Sequence, residues 1–489
     1  MFFRHIPPVI NEAEMDIIGR TKEIKDLQAY YNSGRPELVA IYGRRRVGKT
    51  FLINMLYGDE FAFSVTGMSN GTRKDQLKNF NIALRKYSGK EYADAADWID
   101  AFQQLIDLLE NLENKESGKR QVVFIDELPW FDNHKSKFLM AFEHFWNSWA
   151  ARQMDIFLIV CGSATSWIMS KLINNKGGLH NRVTRQLRLE PYTLAECEDF
   201  FKANSIEMDR YQILESYMIF GGIPYYLSLF DKRESLVQNV NRLCFATDGQ
   251  LKNEFDRLYS SLFSDSGRHI EIVKALNEKS SGMSREEIIK KSGLPDGGNT
   301  TNALAELALS GFLRKYDSFD KKSKGAVYQL VDFFSLFHLK FMAGQSGNDE
   351  AFWLKYSNTP AHNAWSGYAF ELVCLTHILQ IKKALGISGI GANAASWRSS
   401  APTEGAQIDL VIDRADRVIN LCEIKYSGAE FSIDKNYDKV LRDKKNAFVT
   451  ETKTRKAIHQ TMITTYGLAH NEYWGNVQSE ITFDDLFVD

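Results

Sequence analysis

Two stretches of this 489-residue chain combine residue types that can do chemistry on phosphates. The first is GRRRVGKT, from Gly43 to Thr50, which follows an apolar run and precedes the helical pattern FLINMLYG. It matches the spacing G-x-x-x-x-G-K-[ST], in which glycines let the backbone wrap around phosphates and turn its N–H groups toward their charge. The sequence therefore predicts a nucleotide-binding P-loop.

The side chains of this loop have distinct expected tasks. We expect Lys49 to reach the β- and γ-phosphates of ATP and Thr50 to bind Mg²⁺. For the three arginines of the loop we favour a solvated charged tip, with phosphate or partner contact as the alternative. ATP and Mg²⁺ are the predicted cofactors. The predicted nucleotide contacts along the loop are Gly43, Arg44, Arg45, Arg46, Val47, Gly48, Lys49, Thr50 and Phe51.

Polar side chains also end two further apolar strands. In QVVFIDE, Asp126 suits the Mg²⁺ shell and Glu127 suits polarisation of the attacking water, because charges in such a strand are costly without a task. In DIFLIVCGS, Ser163 has two open roles. It either contacts the γ-phosphate or the attacking water, or it caps the helix that follows. The set predicts ATP hydrolysis.

The second chemical stretch lies near the C-terminus, in IDLVIDR and CEIKYS. Folded as a hairpin, these strands place Asp409 opposite Cys422 to Glu423, and the period of two places Glu423 and Lys425 on one face. Two carboxylates can hold Mg²⁺, and a lysine can orient a water or stabilise charge at a phosphate. The pattern suits phosphodiester cleavage; the alternative is a structural ion pair of Glu423 and Lys425.

The elements that must position these residues follow from the hydrophobic pattern. Over residues 38–163, short β-rich runs alternate with helical patterns, which predicts an α/β domain with a mostly parallel sheet. Thr193 and Glu196 form a capping box that opens a helical lid. Three short helices and a hairpin follow between 268 and 332, in the layout of a winged helix-turn-helix.

The third of these helices is mostly Ala, Leu and Glu, which are poor readers of base edges. We favour a packing or dimerisation module, with DNA-backbone contact through Lys321, Lys322 and Lys324 as the alternative. A transcriptional regulator acting through this helix is therefore the weakest of the functions considered. Downstream of the hairpin, basic residues outnumber acidic ones and offer a phosphate-facing surface. They are Lys435, Lys439, Arg442, Lys444, Lys445, Lys453, Arg455 and Lys456.

Composition sets the remaining limits. The net charge is −2, from 60 basic and 62 acidic residues, so any nucleic-acid site must be a local patch. The five cysteines are widely separated and never spaced as C-x-x-C, which argues against a disulfide framework or a zinc knuckle. We see neither a signal sequence nor a membrane-spanning stretch, so we expect a cytoplasmic protein without a membrane partner.

The N-terminal half resembles a known family. IGRTKEIKDL, the P-loop, VVFIDE, CGSATS, NRVTRQLRLEPYT and GGIPYYL occur in an order similar to that of the archaeal-type ATPases in the STAND branch of the AAA+ superfamily. The resemblance covers about residues 15–260. It implies that Ile18 and Gly19 border the adenine, that Arg182 or Arg185 lies on the phosphates, and that GGIP marks the lid.

The C-terminal motif D-x(13)-E-x-K, from Asp409 through Glu423 to Lys425, resembles the PD-(D/E)xK restriction-endonuclease superfamily. Glu371, on the preceding helix in FELVC, takes the place of that superfamily's additional helical acid, which implies a metal set of Glu371, Asp409 and Glu423. Ile408 stands where the superfamily has Pro. The region is also similar to the uncharacterised domain that follows such ATPases in many bacteria and archaea.

We therefore predict a multidomain α/β protein: a P-loop ATPase core at 1–190, a helical lid at 191–260, a winged helix-turn-helix at 265–335 and a restriction-endonuclease-like domain at 350–489. The predicted function is ATP hydrolysis whose nucleotide state controls a Mg²⁺-dependent nuclease-like domain acting on DNA or RNA. The alternative is a nucleotide-dependent regulatory switch whose terminal domain only binds a partner. A homo-oligomer or a protein partner is compatible with either function.

Overall fold

A computed structural model of the protein describes residues 17–112, 119–133, 135–175, 177–316, 319, 326–344, 349–356, 359–399 and 406–488. The chain divides into two compact units, the first ending at Pro191 and the second beginning at Tyr192. Within the described ranges, no helix is long and apolar enough to cross a membrane.

The first unit is built on a five-stranded sheet in the order β2-β3-β4-β1-β5. All four strand pairs are parallel, so the carboxyl ends of the strands share one edge. This confirms the parallel sheet predicted from the alternating pattern. The strands are β1 (Glu37–Tyr42), β2 (Phe61–Thr66), β3 (Gln121–Asp126), β4 (Ile156–Gly162) and β5 (Arg185–Arg188).

Helices of the first unit surround this sheet. Local capping fixes two of their starts, because the Thr72 and Asp97 side chains accept hydrogen bonds from backbone N–H groups of the first turn. Aromatic side chains of the helices and of the β-strands form one continuous buried core. The helices are α1 (Thr21–Tyr31), α2 (Lys49–Tyr57), α3 (Arg73–Ser88), α4 (Trp98–Glu110), α5 (Phe138–Ser148) and the short α6 (Thr165–Trp167), which continues as a π-helical turn, Ile168–Ile173.

The second unit begins with a run of helices. Thr193 caps the first of them in a reciprocal capping box with Glu196, as the sequence predicts. The run comprises α7 (Leu194–Ala203), α8 (Arg210–Phe220), α9 (Pro224–Leu227), α10 (Leu236–Cys244) and α11 (Glu254–Leu262).

Three helices and a small antiparallel sheet, in the order β6-β8-β7, come next. Ser284 and Glu287 form a second reciprocal capping box. Lys321, Lys322 and Lys324 lie outside the described residues. The elements are α12 (Ser266–Asn277), β6 (Met283–Ser284), α13 (Arg285–Ser292), α14 (Gly298–Leu309), β7 (Leu313–Tyr316) and β8 (Val327–Leu330).

A mixed five-stranded sheet, in the order β13-β12-β11-β10-β9, completes the unit. The pairs β9–β10 and β10–β11 are antiparallel, whereas β11–β12 and β12–β13 are parallel. A helix therefore joins β11 to β12, as a parallel connection requires. The elements are α15 (Phe333–Phe337), α16 (Phe352–Tyr356), α17 (Pro360–Thr376), α18 (Ile378–Ala384), β9 (Ala392–Arg398), β10 (Gln407–Arg414), β11 (Val418–Lys425), α19 (Lys435–Thr452), β12 (Ala457–Thr464) and β13 (Ser479–Thr482).

The helical segment SGYAFELVCLTHILQIKKALG is divided at His377 into α17 and α18. The backbone leaves the helical region there, with φ −110° and ψ 32°. The buried imidazole explains the break, because Nδ1 bonds to Val373 O at 2.8 Å and Nε2 accepts a hydrogen bond from Leu194 N at 3.1 Å. A tertiary contact thus ends α17 where the local pattern continues.

Candidate functional site

The P-loop lies at the carboxyl edge of the first sheet, between β1 and α2. Gly43 has φ 139°, and a Cβ there would clash with Leu189 O, so only glycine fits this close approach. Gly48 precedes α2 with φ 90°. Helix α2 begins at Lys49, directly after the loop, so the helix N-terminus borders the loop, as phosphate binding requires.

Lys49 is buried inside this loop, with 5% of its surface exposed. Its Nζ donates to Gly43 O at 3.0 Å and to Arg44 O at 2.8 Å. Burial lowers the pKa of the Lys49 ammonium, which the nearby acidic groups oppose. The bonds to neutral carbonyls keep the ammonium at the loop without pairing it to a charge, so a phosphate oxygen can take their place.

Thr50 and Asp126 meet beside the loop. Thr50 Oγ1 donates to Asp126 Oδ2 at 2.9 Å, and the Asp126 carboxylate is 3% exposed. Burial, followed by repulsion from Glu127, raises the pKa of Asp126. Hydroxyl and carboxylate oxygens are ligands that Mg²⁺ prefers, so this pair fits the ion of a Mg–ATP complex.

Glu127 is held by Ser163 across the neighbouring strand end. Ser163 Oγ donates to Glu127 Oε1 at 2.8 Å, and Ser163 N donates to Oε2 at 3.2 Å. The Glu127 backbone has φ 47°, a left-handed conformation that is uncommon for residues other than glycine. Ala164, not Ser163, occupies the N-cap position of the following helix. Of the two roles open for Ser163, capping is therefore not observed.

The arginine run differs from the solvated tip favoured above. Arg44 is buried, with 9% of its surface exposed, and Arg45 and Arg46 are partly buried. Arg46 has a left-handed backbone conformation, with φ 71°. Phe51, by contrast, is 53% exposed in the first turn of α2.

Arg20 is a loop contact that sequence reasoning missed. Its Nη2 donates to Val47 O at 3.1 Å, and the residue is 4% exposed. Ile18 and Gly19, which are partly exposed, directly precede it and so lie on a segment fixed to the P-loop. The sequence signal for this contact was a charged residue, Arg20, directly after the two residues predicted to border the adenine.

Neither Arg182 nor Arg185 lies near the P-loop of its own chain, so neither can contact the phosphates there as the resemblance implies. Arg185 pairs with Val39 on β1, about 13 Å of strand before Gly43, and its Nη2 lies 3.4 Å from Glu37 Oε1. Arg182 is exposed in the turn that precedes β5. Both lie where the strands begin, whereas the P-loop follows the strand ends.

The C-terminal hairpin has the register expected from its pattern. Leu410 pairs with Cys422, so continuing the antiparallel ladder places Asp409 across from Glu423. Lys425 Nζ lies 3.3 Å from Glu423 Oε1, which places both side chains on one face of β11. The predicted strand residues therefore come together.

Glu423 is 3% exposed and receives three donors. Lys444 Nζ donates to Oε2 at 2.7 Å and to Oε1 at 2.9 Å, and Tyr437 OH donates to Oε1 at 2.9 Å. Lys425 is the third, more distant donor, and its ammonium lies 5.3 Å from the centre of the Tyr437 ring. The carboxylate is thus neutralised by two lysines.

Glu371 and Asp409 lie beside this ion-paired group. Burial, followed by repulsion from Asp409, raises the pKa of Glu371 to about 8. Burial, followed by repulsion from Glu423, raises the pKa of Asp409 to about 6. Glu371 and Asp409 thus line one cavity, and both interact electrostatically with Glu423. Among the described residues, however, no group of three or more His, Cys, Asp or Glu side chains is arranged to hold a metal ion.

Lys444 is the second residue that sequence reasoning missed as a member of a site. Along α19, Leu441 and Phe448 are buried, and Tyr437 and Lys444 continue the same stripe at spacings of four and three residues. A lysine on the apolar stripe of a helix was the signal. The expected phosphate-facing surface is correspondingly reduced, because Lys444, Arg442 and Lys456 pair with Glu423, Asp438 and Asp413.

A cavity of about 180 Å³ borders the acids. Glu371 and Asp409 line one part of it, and Ser280, Tyr316 and Gln329 from the small-sheet region line another. Tyr316 OH and Gln329 Nε2 donate to carbonyls of Ser281 and Ser280 at 2.7 and 2.8 Å. The acids thus face an ordered polar wall.

The N-terminal part of the chain is similar to a known family of ATPase domains. Residues 17–230 match the family model described as an ATPase domain predominantly from Archaea. An uncharacterized protein of Methanocaldococcus jannaschii is 24% identical over 451 residues, which cover 87% of this chain and 90% of that protein. That likeness extends well beyond the matched domain.

Solved structures with similar chains include two archaeal proteins. A Walker-type ATPase of Pyrococcus abyssi is 16% identical, with a TM-score of 0.48, and the match covers 66% of this chain and 96% of that one. The ORC2 protein of Aeropyrum pernix, described in ADPNP–ADP complexes, is 13% identical, with a TM-score of 0.40. That match covers 67% of this chain and 95% of the other.

Proposed function

We propose that this protein binds and hydrolyses Mg–ATP at its P-loop and that the nucleotide state controls a C-terminal nuclease-like domain acting on nucleic acid. The observation that carries the second part is the convergence of Glu371, Asp409, Glu423, Lys425 and Lys444 in one buried space. Several ionisable groups gathered in one place, with acid pKa values raised by burial and by one another, are typical of functional sites.

The P-loop side chains support hydrolysis by position. Lys49 would exchange its carbonyl partners for the β- and γ-phosphates, and Thr50 with Asp126 would hold the Mg²⁺ ion, which neutralises phosphate charge. Glu127, fixed by Ser163, would orient and polarise the attacking water. Because Arg182 and Arg185 lie away from this loop, an arginine on the phosphates would come from the loop itself or from another molecule.

The C-terminal chemistry follows from the same kind of reasoning. Glu371, Asp409 and Glu423 would hold Mg²⁺ once Glu423 is released from its lysines; the ion would stabilise charge developing at a phosphodiester. Lys425 would orient the attacking water or stabilise that charge. The mixed sheet flanked by α17 and α19 fits a restriction-endonuclease-like domain, as the motif predicts.

The region 266–330 fits a winged helix-turn-helix by its order of helices and strands. Its charges favour packing over DNA contact, because basic residues pair with acids of the same region. Lys279 pairs with Glu287 at 2.6 Å and Arg285 with Asp296 at 2.5 Å. We therefore assign it a packing role beside the acid cavity.

The deciding experiment measures Mg²⁺-dependent cleavage of plasmid DNA, single-stranded DNA and RNA, with and without ATP. We expect Asp409→Ala to abolish cleavage with ATP hydrolysis intact, and Lys49→Ala to change the response of cleavage to ATP. Asp443→Ala is the matched control, since it removes an exposed acid from α19. Cleavage that persists in Asp409→Ala refutes the nuclease assignment.

A specific observation also favours the alternative function. Glu423 is neutralised by two lysines, which is the arrangement expected of a structural ion pair in a domain that only binds a partner. For a regulatory switch, purified protein should bind ATP and change its assembly state, by self-association or with a protein partner, without cutting any nucleic acid. Cleavage that depends on Glu423 would exclude this switch.

A further inference from the structure

One carboxylate in the C-terminal sheet is paired with two lysines. Glu423 is in contact with two ammonium groups, whereas Glu371 and Asp409 beside it take no lysine as a hydrogen-bond partner among the described residues. Lys444 makes the closer contact, bonding to both oxygens at 2.7 and 2.9 Å. Lys425 reaches a single oxygen at 3.3 Å. The lysine of the D-x(13)-E-x-K motif is therefore not the main counterion of Glu423.

Lys444 is held at this carboxylate by the packing of its helix. It lies on the stripe of α19 that also contains the buried Leu441 and Phe448, and its side chain is 22% exposed. A lysine on such a stripe normally extends its ammonium toward water. Here the ammonium instead contacts both oxygens of a carboxylate that is almost fully buried.

The contact also bears on whether Glu423 can bind a metal ion. A divalent cation bound by Asp409 and Glu423 needs free carboxylate oxygens, and Lys444 takes both oxygens of Glu423. Two cations on one carboxylate also repel a third at close range. The ion pair with Lys444 therefore competes directly with a divalent cation for the Glu423 oxygens.

We propose that Lys444 is an internal counterion that occupies the place of a divalent cation at Glu423, so that metal binding must displace its ammonium. Lys444 is thus a positioning residue, which acts through Glu423. This inference rests on the proposed metal-dependent function of the acids, and it identifies the step that regulates their loading.

The test measures Mn²⁺ binding by titration calorimetry without nucleotide, and the heat that remains in Asp409→Ala is subtracted as binding elsewhere. We expect Lys444→Met to bind Mn²⁺ about ten-fold more tightly than the native protein, because a competing charge within a few ångströms is removed. Lys444→Arg should stay near the native affinity, since it restores a cation. Lys445→Met is the matched control, because it removes the same charge from the next residue of α19 and should change the affinity about two-fold at most.

The outcomes distinguish a failure of the Lys444 proposal from a failure of the proposed metal-dependent function. Unchanged or weaker binding in Lys444→Met, with native binding that depends on Asp409, overturns the inference and leaves the metal site standing. Binding in Lys444→Met alone supports the inference. Absence of Asp409-dependent binding in every variant overturns both.

A second measurement uses the native protein and does not depend on any variant folding. Reductive methylation followed by mass spectrometry reports how accessible each lysine amine is. Mn²⁺ should increase the modification of Lys444 several-fold, because its amine is released from Glu423, and should leave Lys439 unchanged. Equal or lower modification of Lys444 in a protein that binds Mn²⁺ would overturn the proposal.

Discussion

Lys49 in the first unit is buried and Lys444 in the second is partly buried; both lie near carboxylates, but they are held differently. Lys49 donates to two backbone carbonyls, and Lys444 donates to both oxygens of Glu423. A neutral acceptor can be exchanged for a phosphate oxygen without leaving a charge unpaired. Releasing Lys444 exposes a buried carboxylate, which needs another cation. The first site is ready for an anionic ligand, whereas the second neutralises itself.

The acids beside the two lysines differ in the same way. In the first unit, Thr50 and Ser163 hold Asp126 and Glu127 by hydroxyl donors, which add no charge. In the second unit, Lys425 and Lys444 hold Glu423. Hydroxyl groups orient a carboxylate and leave its negative charge available to a metal ion or a water. Ammonium groups neutralise that charge. A preformed site and a site that requires an exchange of cations therefore coexist in one chain.

The largest expected effect comes from removing the lysine that has neutral partners. Lys49→Met should lower ATP hydrolysis at least about 100-fold, because a preorganised cation at the phosphates is lost. The melting temperature of the nucleotide-free protein should change less than in Lys444→Met, since no carboxylate loses a hydrogen-bonded cation. Phosphate release measures the hydrolysis rate, and thermal unfolding measures the stability. Lys22→Met, at an exposed position of α1, is the control. A large loss of stability would contradict the difference between the two lysines.

The converse result is expected at the second lysine. Lys444→Met should destabilise the metal-free protein by about 2 kcal/mol, because Glu423 keeps only Lys425 and Tyr437 as partners. ATP hydrolysis by the first unit should persist. Denaturant unfolding in a chelating buffer gives the stability, and Lys439→Met, on the exposed face of the same helix, is the control. Equal stability of the two variants would mean that the ion pair contributes nothing.

The smallest expected effect concerns pH. Burial raises the pKa of Glu371 to about 8, so between about pH 4.5 and 8 the folded protein retains a proton that the unfolded chain has lost. Stability should therefore fall as pH rises through this window, and Glu371→Gln should remove that part of the fall. We expect equal melting temperatures near pH 5 and a higher one for Glu371→Gln near pH 9. Glu286→Gln, an exposed change on α13, should follow the native curve, and parallel curves for all three proteins would refute the shift.

Much of the first site was predictable because its signals are local. The P-loop spacing, the carboxylates that end β3 and the capping boxes each lie within a few residues, so the helical or strand period fixes their relative positions. The hairpin register of Asp409 and Glu423 belongs to the same class, since two adjacent strands and one turn determine it. The expectation of two acids and a lysine on one hairpin therefore corresponds to the observed geometry.

The remaining contacts depend on which elements become neighbours. Sheet order decided that Arg182 and Arg185 lie at the edge opposite the P-loop, because β5 runs parallel to β1. The pairing of Ser163 with Glu127 depends on β3 and β4 lying side by side. Neither relation is present in a local pattern, so the family resemblance supplied one arginine placement that the strand geometry overturned.

By itself, the sequence determined the chemical groups: a loop that fits phosphates, carboxylates at strand ends, and an acid–lysine motif in a hairpin. Only the tertiary structure decided how each charge is balanced. Glu423 and Lys444 are separated by 21 residues and lie on different elements, and the packing of α19 on the sheet brings them together. The reason is physical. The periodicity of a helix or strand relates residues only a few positions apart, whereas the neutralisation of a buried charge depends on every group that the fold places around it.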